Sequence, residues 1–435
     1  MPPVHRFVPD ALDGTSITDG DFVRFAVNSE NSQPAVKMSE RSATETSIDV
    51  EFDVVPDRLG TNSPKWDVPT RPGGRSVIAL SVADMDFLSP PAVVSAVAQR
   101  AAQGVFGYTD LAADHGEIVS DFLHIRHDWK VPVEHIVYCN RVVQALALML
   151  QRWTTPGEKV FLHHPAYSPL SRAVALANRR LVSEPLVEVE GRYAMDLPAM
   201  EAHFASGVRT MILTNPHNPT GRVWRKDELV AVADLCDRYD VLIISDDVHA
   251  DFTRPGHSHT FIGSLDPRTA RRTITLTSPG KSFNVPGLEI TNVVIPDDDR
   301  RVEFQRLLRV AGFHNPSFFA SAVTRAAYRE SLDWLDRLRS YLEGNFEVLR
   351  ASLSEQMPGF RLVEPEGTFL AWIDARRWSE DPNALSRLLR RADVAVTGGR
   401  SFGSSENCFR LNYATSRGRL REALDRMTRA YQDHK

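Results

Sequence analysis

The chain has 435 residues, 42% of them hydrophobic and 25% charged, with a formal net charge of −5. Acidic and basic residues are interspersed, so no basic stripe points to nucleic acid, and no apolar run reaches the length of a membrane span. The three cysteines, Cys139, Cys236 and Cys408, lack metal-ligand spacing and fit a reducing cytoplasm better than a disulfide scaffold. The N-terminus has no basic segment followed by an apolar one, so a cytoplasmic location is expected.

In chain order, residues 1–50 are polar and lack a sustained apolar period, which predicts a loosely ordered extension. Residues 51–88 are assigned to the N-terminal part of a small domain. Pro91 to Gln103 is amphipathic and begins with proline at a first turn, and Val142 to Trp153 is an apolar helix candidate. Strand-like runs follow at Lys159–Leu162, Thr210–Leu213, Val241–Ile244, Thr273–Leu276 and Thr291–Ile295, with helical segments such as Arg225–Tyr239 between some of them. This alternation predicts an α/β fold with a mostly parallel central sheet and helices on both faces, over a large domain of residues 89–315. A long helical stretch from 316 to 345, a strand-like Gly367–Ile373 and a charged amphipathic helix at Gly418–Gln432 form a smaller α/β domain, residues 316–435.

Sheets of this kind bind ligands at the carboxyl ends of their strands, and the unusual polar residues fall there. Lys281 follows the Thr273–Thr277 run and the turn-prone Ser278-Pro279-Gly280. An ammonium at such a place is desolvated, which lowers its pKa toward nucleophilic reactivity and suits Schiff-base chemistry with a carbonyl. Thr214 to Gly221 is a polar loop with two Asn-Pro turns, in which Asn218 offers its amide to an anionic oxygen; an ordinary turn is the rival reading. Asp246, Asp247 and His249 end the next strand, and a buried carboxylate there needs a cationic or donor partner such as a protonated pyridine nitrogen. A metal is the alternative, but no further His/Asp cluster completes a site, so none is expected. Arg410 lies inside an apolar run, where a guanidinium either holds a carboxylate or phosphate or serves a structural ion pair. Together these pieces converge on pyridoxal 5′-phosphate as cofactor.

The chain resembles a fold-type I pyridoxal 5′-phosphate enzyme of the class I/II aminotransferase family, and more narrowly the MalY/PatB-like cystathionine β-lyase, or C–S lyase, branch. The likeness rests on Gly60–Asp67, Val82–Phe87, Gly104–Thr109, Thr214–Gly221, Ser245–His249, Ser278–Asn284 and Phe409–Asn412, and covers residues 51–435. It implies that Lys281 bonds the cofactor and moves the Cα proton, and that Asp246 pairs with the pyridine nitrogen. Asn218 and His249 would bond the ring oxygen and Tyr167 would stack on the ring. The backbone at Val142 and Val143, with Ser278, would cradle the phosphate. Tyr108 would reach the phosphate across a homodimer interface, and Arg410 would hold the substrate carboxylate. The chain departs from the branch pattern at Ser81, where tryptophan is usual, and at Arg141, where a small residue is usual. The first change points to a roomier pocket mouth. The second gives a phosphate contact, a greeting for an anionic substrate, or a solvent-facing side chain.

The reaction expected from this resemblance is α,β-elimination from an S-substituted L-cysteine, cystathionine-like or larger, to thiol, pyruvate and ammonia. Transamination or decarboxylation-coupled deamination on the same cofactor is an alternative. A regulatory binding protein with incidental catalysis is a second alternative, against which the intact Lys281, Asp246 and Arg410 set speaks.

Overall fold

In a computed structural model, the described residues are 48–67 and 77–433. Most of the expected N-terminal extension, residues 1–47, lies outside them. Residues 48–50 begin a short helix, Ile48–Asp53, whose Phe52 packs edge-on against Phe87 and Trp334.

The centre is a seven-stranded sheet in the order Ile136–Cys139, Thr291–Val294, Thr273–Thr277, Leu242–Asp246, Thr210–Thr214, Lys159–His164 and Arg180–Pro185. Only Thr291–Val294 runs antiparallel to its neighbours. Side chains alternate strictly between the faces. Val160, Leu162, Ile212 and Ile244 point into one apolar cluster, with Ala145 and Leu146 of the Val142–Trp153 helix and Phe304 of the Asp298–Val310 helix. Phe161, Met211, Leu213 and Ile243 point into the other, with Phe204 of the Leu197–Ala205 helix and Leu229 and Val232 of the Lys226–Arg238 helix. Both faces are therefore covered, which is why these strands read as continuous apolar runs rather than alternating ones.

A second, four-stranded antiparallel sheet, in the order Arg361–Val363, Leu370–Asp374, Cys408–Asn412 and Thr397–Gly398, follows the helices Ala320–Glu330 and Leu332–Gln356. Its second strand starts at Leu370 rather than at Gly367, because Thr368 adopts a left-handed φ of 68° that interrupts extended backbone. Ile78 and Ala79 pair in parallel with Val394 and Ala395, so a segment from the start of the chain completes a structure built from its end. Gly221 closes the polar loop after Thr210–Thr214: its φ is +73°, a Cβ there would stand 2.5 Å from Pro365, and its carbonyl accepts the amides of Glu366 and Gly367. Among the described residues no helix is long and apolar enough to cross a membrane.

Candidate active site

A cavity of about 270 Å³ opens at the carboxyl ends of the central strands, walled by Tyr167, Asn218, Asp246, His249, Ser278 and Lys281. Each comes from the residues that follow a strand. Asp246 is the last residue of Leu242–Asp246, in register with Thr214 on one side and Leu276 on the other. Lys281 follows the turn-prone Ser278-Pro279-Gly280, and that segment is helical rather than a simple turn. Lys281 belongs to a one-turn helix, Pro279–Ser282, whose N-cap Ser278 accepts the Gly280 amide at 2.9 Å.

The Lys281 side chain keeps part of its surface open to the cavity, while the protein packed around it desolvates the amine. That burial, followed by the charge of Arg410, lowers its pKa to about 8. The amine donates to the Ala83 carbonyl at 2.6 Å, and among the described residues it forms no ion pair. Asp246 is 6% exposed; burial, then the charge of Asp247, pushes its carboxyl up to about 7. His249 is 3% exposed, is driven well below the usual histidine range by burial and by the charges of Lys281 and Arg410, and leaves its Nδ1 buried without a hydrogen bond. It is a neutral imidazole at physiological pH.

Arg410 is enclosed beside this cavity rather than in its wall. It donates to Asn218 Oδ1 at 2.9 Å and to the Ser81 carbonyl at 2.8 Å, lies over the Phe402 ring at 5.0 Å, and is lowered by burial to about 10. Its Nε has no partner. The Tyr167 ring stands at the head of the Ser168–Leu176 helix, its hydroxyl raised by burial and by Asp246. Val142 and Val143 open the Val142–Trp153 helix on the same cavity, and the first-turn amides of a helix have no intrahelical acceptor. Ser278 donates its hydroxyl proton to the Ile290 carbonyl at 2.5 Å, leaving the oxygen as an acceptor.

Of the sequence-predicted site residues, this single chain brings together Lys281, Asp246, Asn218, His249, Tyr167, Ser278, Val142 and Val143, with Arg410 one contact behind Asn218. Tyr108 is not among the cavity-lining residues; it is 98% exposed, beside the exposed Val105 and Phe106. Arg141 stands at the cavity mouth with an exposed side chain ion-paired to Glu289. Ser81 acts through its backbone: its carbonyl accepts from both Arg410 and the Thr397 hydroxyl.

Sequence reasoning missed the carbonyl that holds Lys281 and the structure that supports it. Lys65 is 1% exposed, 3.0 Å from Asp86 Oδ1 and 3.0 Å from the Asp84 carbonyl. Arg58 pairs with Asp84 at 2.7 Å, and the Trp66 indole donates to Asp86 at 2.9 Å. Asn412 adds hydrogen bonds of 2.7 Å to the Val82 and Asp84 carbonyls. The signal was present in the charged Asp84 and Asp86, which flank Met85 beside an apolar run, and in Lys65 next to Trp66, but each needed the other to have meaning.

The residues fit pyridoxal 5′-phosphate. The desolvated Lys281 amine suits its aldehyde, and a protonated ring nitrogen would supply the cation that Asp246 lacks. His249 lines the same space as a neutral imidazole, and the helix amides suit a phosphate. Fold and site together define a fold-type I pyridoxal 5′-phosphate-dependent enzyme. The model of the aminotransferase class I and II family matches residues 75–427, and the chain belongs to that family. It is 34% identical to cystathionine β-lyase PatB of Bacillus subtilis over 385 residues, 88% of this chain and 100% of PatB. It is 32% identical to protein MalY of Escherichia coli over 381 residues, 86% of this chain and 97% of MalY. Among solved structures it is similar to cystalysin from Treponema denticola, which contains pyridoxal 5′-phosphate, with a TM-score of 0.84 at 30% identity over 88% of this chain and 99% of that one.

Proposed function

We propose that this enzyme is a carbon–sulfur lyase that cleaves S-substituted L-cysteines by α,β-elimination. In balanced form, R–S–CH2–CH(NH3+)–COO− and water give R–SH, pyruvate and ammonium. The observation that carries this reading is a desolvated lysine, Lys281, in one cavity with a buried carboxyl group, Asp246, in a chain whose near-full-length relatives include a named cystathionine β-lyase.

Pyridoxal 5′-phosphate, when bound, supplies the aldehyde that captures the substrate amine and the conjugated ring that draws electrons from the α-carbon. The protein supplies the rest. Arg410 and Asn218 orient the α-carboxylate by charge-assisted hydrogen bonds, which leaves the Cα–H bond facing Lys281. Lys281, with its pKa lowered from the usual 10.5 to about 8, has a far larger share of free amine near neutral pH than an ordinary lysine and still enough basicity to take that proton. It then returns a proton to the departing sulfur or to the β-carbon side of the reaction. Asp246 would accept the hydrogen bond of the protonated ring nitrogen, and Asn218 and the neutral His249 would hydrogen-bond the ring oxygen. The backbone amides of Val142 and Val143, with Ser278, would hold the phosphate, and Tyr167 would stack on the ring.

We read the enzyme as a homodimer in which Tyr108 serves the phosphate site of the other subunit. The near-complete exposure of Tyr108 on the single chain, beside the exposed Val105 and Phe106, supports this. The residue boundaries 51–88, 89–315 and 316–435 describe a small domain built from both ends of the chain around a large cofactor domain, a division the pairing of Ile78–Ala79 with Val394–Ala395 supports.

The test is to incubate the purified, cofactor-loaded enzyme with cystathionine and a series of bulkier cysteine S-conjugates and to assay thiol and pyruvate together. Equimolar release is expected. Absence of pyruvate from every conjugate overturns the reading.

A further inference from the structure

Behind the cavity lies a set of buried polar side chains that the reaction above does not use. Asp247 and His259 are both fully enclosed, with His259 Nε2 3.1 Å from Asp247 Oδ1. The His259 ring meets the His127 ring edge-on at 5.7 Å. His127 Nε2 stands 2.9 Å from Asp251 Oδ1, and Asp251 Oδ2 accepts the Ser282 hydroxyl. Asp247 follows Asp246 in the chain, and Ser282 follows Lys281. The set therefore begins beside the ring-nitrogen carboxylate and ends beside the lysine.

Two adjacent carboxylates in a dry site are a costly arrangement that a fold retains only with a compensating partner. Among the described residues, His259 is the side chain at ion-pair distance from Asp247. Burial outweighs the pull of Asp247 and Asp251 and, with His127 opposing too, holds the His259 imidazolium below the usual histidine range. Among the described residues neither His259 nitrogen and neither Asp247 oxygen completes a hydrogen bond, so the 3.1 Å approach is the polar contact the two side chains share. Asp246 is faced by Asp247 and by Lys281, and a second anion behind it favours any cation held in front of it. At the other end, burial works against the Asp251 charge, but the hydrogen bonds and charge of His127 and the hydrogen bond of Ser282 outweigh it and keep its carboxyl below the usual range.

We propose that Asp247, with His259 beside it at 3.1 Å, is a positioning residue for the reaction: it places a second carboxyl group behind Asp246 and so favours a protonated cofactor ring nitrogen held in front of it, while His127, Asp251 and Ser282 tie the His259 ring and the Lys281 helix to one scaffold. The proposal rests on the reading of this cavity as the pyridoxal 5′-phosphate site. It gives a chemical reason for the second aspartate after the strand, which the cofactor itself does not touch.

The experiment compares cofactor-loaded wild type with Asp247→Asn, His259→Phe and His259→Asn. It reads the pH midpoint of the bound cofactor's visible absorption band, and kcat and KM for a cysteine conjugate that the wild type cleaves. Asp247→Asn and His259→Phe are expected to lower kcat by about 10- to 100-fold with KM changed less than about threefold, since the loss is in charge stabilisation rather than substrate contact. They are also expected to raise the absorption midpoint by about one pH unit, because a ring that holds its proton less firmly draws fewer electrons from the nitrogen bonded to it through Lys281. His259→Asn keeps an N–H donor and recovers most of both properties. Unchanged midpoint and kcat in the isosteric Asp247→Asn variant overturn the proposal, as does a loss confined to folding or cofactor content with kcat per bound cofactor intact. A wild type that binds the cofactor but yields no pyruvate refutes the lyase reading alone, and the absorption midpoints still decide this one. A wild type that takes up no cofactor refutes both.

Discussion

Two lysines lie within reach of the same short segment, residues 83–86, and the surroundings give them opposite work. Around Lys65 the protein supplies balance: Asp86 at 3.0 Å, Asp84 at 3.7 Å and the Asp84 carbonyl, with Arg58 and Trp66 completing the carboxylates. Around Lys281 it supplies a hydrogen bond to a single carbonyl, that of Ala83, and burial and the positive charge of Arg410 outweigh the more distant pull of Asp84 and Asp246. The first lysine is a structural fixture. The second is only partly compensated, at a cost on the order of 2–3 kcal/mol to its charged form, and on the proposed reading that deficit favours a reactive amine. The same segment links the two, because the clamp on Asp84 and Asp86 sets where the Ala83 carbonyl stands.

The contrast breaks most sharply in activity. Lys281→Ala is expected to lower the elimination rate by at least about 10³-fold, since both the base and the covalent anchor are lost, with pyruvate release as the measure. Stability should move the other way from one lysine to the other. Lys65→Met strands Asp86 and is expected to cost the apoprotein about 3–5 kcal/mol in denaturant unfolding, whereas Lys281→Met removes an unbalanced ammonium and is expected to stabilise it by about 1–3 kcal/mol at pH 7. The sign follows from a folded-state pKa of about 8 lying below the usual 10.5: the buried charge costs stability at low pH, and the cost fades as pH rises from 8 toward 10.5. The stabilisation by Lys281→Met should shrink over that window. In the apoprotein, acetylation of Lys281 followed by mass spectrometry is expected to speed up with pH and to level off above about 8, with Lys65 unreacted. Arg410→Lys, which loses a planar fork, should raise KM by about tenfold with a smaller effect on kcat. The smallest effect belongs to Arg141→Gly, within about threefold in kcat/KM, because an exposed ion pair contributes about 1 kcal/mol or less.

Much of this was legible in the chain. The strand ends and the polar residues just beyond them were readable because a two-face-covered sheet forces long apolar runs, and Asp246, Lys281 and Arg410 each break such a run. The Val142–Trp153 helix was readable to the residue, since its apolar period ends where the sheet no longer covers it. What escaped notice depends on partners far apart in sequence. Asp84 needs Lys65, Arg58 and Asn412 to mean anything, and His259 needs Asp247; no local period reports such pairs. Ser81 was read as a lost side chain, yet its contribution is a carbonyl, which any residue at that position would offer. Strands such as Ile136–Cys139 and Arg180–Pro185 escaped because they lie at the sheet edges with half-buried or exposed positions, so neither reads as a fully apolar run.

The pairing of Ile78–Ala79 with Val394–Ala395, and of the Asn412 amide with the Leu80 carbonyl, sets a timetable for the newborn chain. The cofactor sheet is complete in sequence by Val294, well before residue 394 leaves the ribosome. Until then the segment that places the Ala83 carbonyl on Lys281 has no strand to join. Pairings this distant in sequence form late. A chain halted before residue 394 would therefore hold a folded sheet without the strand that its 78–80 segment joins, and the residues from 394 onward decide when the site is complete.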